Sequence, residues 1–114
     1  MRLFKKKTVQ QTLFKSLDNI KKASIKMSKS WGINAISIPV LKEVINNTIK
    51  NNIASTKQGD NKYKIFINNY NNTLIQLLST CRKAAKERGV VYVSFEFFDK
   101  CITTIKDGIV KGME

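Results

Sequence analysis

The sequence predicts an all-α protein of one domain, a helix-loop-long helix-loop-helix unit behind a basic N-terminal helix or tail. Three observations carry this. Apolar residues recur at steps of three and four through most of the 114-residue chain, a helical period. There is one proline, Pro39, and it falls where a helix can start. Only one short β-branched run, Val90-Val91-Tyr92-Val93, reads as a strand.

The elements follow in order. Val9, Leu13, Leu17 and Ile20 make one face of a helix over residues 8–27, with Lys15, Lys21 and Lys22 off that face. The pattern breaks over residues 28–34, which hold Trp31 and Gly32. Trp31 is expected to be a packing aromatic rather than a base-stacking one. A second helix starts near Ser37, a suitable N-cap, with Pro39 in the first turn, and Val40, Leu41, Val44, Ile45 and Ile49 form its stripe. Asn51 and Asn52 are expected to end it. Residues 53–60 read as an extended piece and then a polar turn.

A long helix is predicted over residues 62–88, roughly 40 Å at 1.5 Å per residue. Its stripe includes Phe66, Ile67, Tyr70, Leu74, Leu77, Leu78, Cys81, Ala84 and Ala85. Arg82, Lys83, Lys86 and Arg88 complement its C-terminal dipole, and Gly89 follows as the usual residue past the end. After the strand, Ser94 caps a last short helix carrying Phe95, Phe98, Cys101, Ile102 and Ile105, and Gly108 and Gly112 close the chain. The expected division is a basic segment, residues 1–35, and a helical domain, residues 36–114. Two short helices leave part of the long stripe uncovered, so a second subunit is expected to complete the burial.

Charge narrows the function. There are 21 Lys/Arg against 8 acids, a net +13, which points to a polyanionic partner. Residues 1–30 hold nine Lys/Arg against Asp18 alone, a net +8. A basic arm on a milder domain is a nucleic-acid-binding pattern. With no histidine, imidazole catalysis and His metal sites are excluded, and two cysteines twenty residues apart do not make a zinc site. No glycine-rich phosphate loop is present, and no cofactor, metal or catalytic role is expected. No run of 18 apolar residues exists, so no membrane span or membrane partner is expected. Cys81 and Cys101 are expected as thiols in a reducing, intracellular compartment.

One segment carries a resemblance. Leu74-Ile75-Gln76-Leu77-Leu78-Ser79-Thr80-Cys81-Arg82-Lys83-Ala84-Ala85-Lys86-Glu87-Arg88, then Tyr92-Val93-Ser94 and Phe98-Asp99-Lys100-Cys101-Ile102, resembles the central helix, second loop and last helix of the core histones. Ser37-Ile38-Pro39-Val40-Leu41-Lys42-Glu43-Val44 followed by Ile53-Ala54-Ser55-Thr56-Lys57 looks nearest the 2B type. The likeness covers residues 36–107. The family's Arg-x-Thr before the last helix is replaced here by Val90-Val91-Tyr92, and the long C-terminal helix of the 2B type is absent. Heavy use of Asn, Lys and Ile suits an AT-rich genome, and a divergent, virus-encoded member would fit.

The resemblance implies a histone fold, pairing with another histone-fold subunit, and compaction of double-stranded DNA in chromatin or a virion. It implies phosphate contacts from the first loop (Ser55, Thr56, Lys57) and from Arg88 beside the second, with Lys5, Lys6, Lys7 and Lys29 contributed by the basic arm. Two other classes stay open from the residues: a winged-helix module with Val90 to Val93 in a wing, and an interaction protein using residues 8–27 on an anionic surface.

Overall fold

The computed structural model describes residues 6–55 and 61–113, with side chains for residues 11–54 and 61–111. Four helices make up nearly all of it: α1 (Lys6–Ser30), α2 (Ile38–Ser55), α3 (Asn61–Glu87) and α4 (Phe95–Met113). Two two-residue strands, β1 (Ile36–Ser37) and β2 (Tyr92–Val93), pair antiparallel with Ile36 opposite Val93 and Ser37 opposite Tyr92. The all-α expectation holds in this coarse sense.

A single core joins all four helices. Leu17 of α1, Ile36 of β1, Leu41 and Ile45 of α2, Leu74 and Cys81 of α3 and Phe98 of α4 are all fully buried in it. The core therefore crosses the boundary expected after residue 35. Leu13, Leu17 and Ile20 lock α1 into the domain, and α1 packs on both α2 and α4. Tyr70 of α3 donates a hydrogen bond to Ser16 Oγ of α1 at 2.8 Å. Burial pushes the Tyr70 phenol up to about 12, and the bond to Ser16 partly offsets that. Much of the α3 stripe, from Ile67 to Ala85, is thus covered within one chain, where the sequence led us to expect a second subunit.

The helix ends follow local chemistry. After α1 the N–H of Ile33 bonds the carbonyl of Ser28 and that of Gly32 bonds Lys29. After α3 the N–H of Val90 bonds Ala85 and that of Gly89 bonds Lys86. Both are Schellman motifs, with Gly32 at φ 78° and Gly89 at φ 71°. Ser94 Oγ accepts the Phe97 N–H at 3.0 Å, the expected N-cap of α4.

Three boundaries differ from the sequence reading. Residues 53–55, expected to be extended, complete α2. Asn52, expected as a terminator, instead donates its side-chain amide to Asn71 Oδ1 of α3 at 2.9 Å, so a tertiary partner occupies the group that would compete for backbone. The last helix is not short: it runs through Gly108 to Met113, because Ile102, Ile105 and Ile109 extend its apolar period onto the core. β1 was not expected at all. Its Ser37 N–H bonds the buried Ser28 Oγ at 3.0 Å, tying α1 to the strand pair.

Candidate nucleic-acid interface

α1 is amphipathic in an unusually simple way. Leu13, Leu17, Ile20, Ser24 and Ser28 point into the protein and are buried. Lys15, Lys22, Lys26 and Lys29 are all exposed. Their steps of seven, four and three place them within about 60° of arc on a helix, opposite the buried face, in a row roughly 21 Å long.

The acids near this row are already engaged. Asp18, the sole acid in α1, pairs with Lys106 Nζ of α4 at 2.7 Å. Asp99 pairs with Lys21, the half-buried lysine that lies off the row. Glu96 is bridged by Lys100. Among the described residues, none of Lys15, Lys22 and Lys26 has an ion-pair partner, while Lys29 Nζ sits 5.8 Å from the centre of the Phe95 ring. Two ion pairs between α1 and α4 thus neutralise carboxylates that would otherwise oppose an incoming polyanion.

A second basic group lies at the end of α3, where Arg82, Lys83, Lys86 and Arg88 are exposed with Glu87 among them. The strand pair joins this end to the end of α1. Ile38 N–H bonds the Val91 carbonyl at 2.9 Å, and Ser37, opposite Tyr92, is tied to Ser28.

The expected contact residues are distributed as follows. Lys29 ends the α1 row and Arg88 directly follows α3, four residues before β2, both exposed. Ser55 is not in a loop; it is the last residue of α2, on a helix held by the Asn52–Asn71 bond. Lys6 and Lys7 open α1, with their side chains outside the described region, and Lys5, Thr56 and Lys57 lie outside the described residues. Within one chain, Asn52, three residues before Ser55, bonds Asn71, 17 residues before Arg88, so roughly 25 Å of helix separates the two contacts and they do not form one site. Lys15, Lys22 and Lys26 were not singled out as contacts, although their helical phase was readable in the sequence.

Trp31 departs from expectation. It is 75% exposed and packs into no core, with Val91 (67%) and Tyr92 (46%) also exposed at the strand-bearing end. Away from this region Cys81 and Cys101 are free thiols on α3 and α4. Burial, with Cys101 beside it, pushes the Cys81 thiol up to about 12, and burial raises Cys101 as well. No helix among the described residues is long and apolar enough to cross a membrane.

Comparison with protein-family models, curated proteins and solved structures finds no match to this chain.

Proposed function

We propose that the protein is a non-enzymatic DNA-binding subunit that holds the phosphate backbone without reading base sequence. The observation that carries this is the exposed row Lys15, Lys22, Lys26 and Lys29 on the outer face of α1, whose neighbouring acid Asp18 is ion-paired with Lys106. Lysines spaced along a rigid helix offer point charges to phosphates, and released counterions then drive binding. Arg88 and its neighbours at the end of α3 add a second basic group. The test is binding of a labelled mixed-sequence duplex over a salt series. A steep fall of affinity with salt supports the proposal, and no binding at low salt refutes it.

The histone-like form of this proposal adds a paired subunit and DNA compaction. Its support is the 27-residue α3 between α2 and α4, together with the sequence likeness over residues 36–107, clearest within 74–102. Three features depart from that pattern: β1 pairs with β2 inside one chain, residues 53–55 are helical, and α1 helps cover α3. Pairing is therefore not needed to bury the Ile67–Ala85 stripe of α3, and a partner would cover the helix's exposed apolar residues Ile65 and Ile75. Sedimentation at low micromolar concentration separates the forms: a dimer supports the histone-like one, and a cooperative monomer removes it while leaving DNA binding in place.

The winged-helix alternative gains a partner strand in β1. It lacks the hairpin, because Ser94 caps α4 directly after Val93. Sequence-specific contacts would then have to come from elsewhere.

A further inference from the structure

Trp31 poses a problem that the duplex-binding proposal does not solve. It is the only tryptophan in the chain and the most exposed of its large hydrophobic side chains among the described residues. A single exposed apolar side chain needs no explanation. Here three lie at one end of the molecule, since the Ser37 N–H donates to Ser28 Oγ and the Ile38 N–H to the Val91 carbonyl, tying the end of α1 to the start of β2. Trp31, Val91 and Tyr92 are all exposed there.

The setting is also rigid. Trp31 is the C-cap residue of α1, its own N–H bonded to the Ser28 carbonyl at 3.1 Å, between the two bonds of a Schellman motif. Its backbone position is therefore fixed before any ligand arrives. Lys22, Lys26 and Lys29 precede Trp31 by nine, five and two residues, but on the other side of the helix: at about 100° per residue position 31 falls opposite the row. The nearby acids Asp99 and Glu96 are paired with lysines. A strand held on the row reaches the indole by crossing the end of α1, a helix about 10 Å wide, and phosphates on cations with a base on an aromatic ring is the combination that binds single strands.

We infer that Trp31 is a stacking platform for an unpaired base, and that the α1 end is a single-stranded nucleic-acid site. This rests on the proposal that the lysine row binds nucleic-acid phosphates, and it extends that proposal to a second substrate form. Duplex DNA keeps its bases stacked on each other and engages the row alone. A single strand engages the row and the indole together. Tyr92, at the same end, is available to a neighbouring base.

The experiment uses the full chain, a labelled 15-nucleotide oligothymidylate, a labelled mixed-sequence duplex, and vesicles of phosphatidylcholine with phosphatidylserine. Because Trp31 is the sole tryptophan, emission excited beyond the absorption edge of the three tyrosines reports this site alone. The oligonucleotide is expected to quench the emission. Trp31→Ala should weaken oligonucleotide binding by roughly 5- to 150-fold, the range of one lost base–aromatic stack, and leave duplex affinity within about twofold. Trp31→Phe should retain much of the binding, and circular dichroism of both variants should match the parent.

Equal small effects of Trp31→Ala on both nucleic acids would overturn the stacking inference and leave duplex binding intact. A blue shift with anionic vesicles, without quenching by the oligonucleotide, would overturn it in favour of a membrane contact. Failure to bind either nucleic acid would overturn this inference and the proposal beneath it.

Discussion

Neutralising the α1 row tests the link between structure and binding. Lys15, Lys22, Lys26 and Lys29 are exposed, so replacing all four with Gln removes four charges and no core contact. Gln and Lys have nearly equal helix propensity, so α1 should persist. The loss on Lys29 of its placement over Phe95 costs at most about 1 kcal/mol at an exposed site. Each phosphate contact contributes about 0.9 to the slope of log affinity against log salt on duplex DNA. If all four lysines contact phosphates, the slope should flatten by about 3 to 4. The assay is fluorescence anisotropy of a labelled duplex between low and moderate salt. The control is Lys21→Gln: Lys21 is paired with Asp99, so its loss frees that carboxylate and lowers affinity while changing the slope little. An unchanged slope in the quadruple variant, with normal circular dichroism, would refute the assignment of α1 as the binding face.

Three further outcomes follow from the packing. Leu17→Ala should destabilise the protein by about 2–5 kcal/mol, read as a lower denaturant midpoint, because Leu17 is fully buried in the common core; a neutral effect would mean that α1 is a detached arm. Gly108→Ala should stabilise by about 0.5–1 kcal/mol, since Gly108 lies within α4, has no left-handed φ, and an added Cβ meets nothing within 4 Å. Tyr70 gives a pH dependence: burial raises its folded-state pKa to about 12 from 10, so the folded protein holds the proton more tightly. Its contribution is complete below pH 10 and lost as pH rises towards 12, and Tyr70→Phe should lessen that loss in alkaline denaturation.

Much of this architecture was legible because it rests on local rules. The apolar periods of α1, α2 and α3 gave helices whose bounds lie within a few residues of those found, and Gly89 and Ser94 marked an end and a start through backbone chemistry. What was not legible depends on tertiary partners. Asn52 reads as a terminator until Asn71 takes its amide. Gly108 reads as a stop until Ile109 packs on the core. β1 is too short for any period, and it exists because β2 and Ser28 supply its bonds. The basic row was present in the spacing of Lys15, Lys22, Lys26 and Lys29, but its freedom depends on Asp18 being paired with Lys106 of α4 and Asp99 of α4 with Lys21. Trp31 shows the limit most plainly. An aromatic near a helix end is usually packed, and only the fold reveals that this one faces solvent.

The central claim is that binding follows backbone charge rather than base sequence. Competition at fixed salt tests it most directly: the protein is bound to one labelled duplex and displaced by several unlabelled duplexes of equal length and unrelated sequence. The displacement curves are expected to nearly coincide and to shift together to weaker binding as salt is raised. A preference of a thousandfold or more for one sequence, as specific binders show, would contradict it.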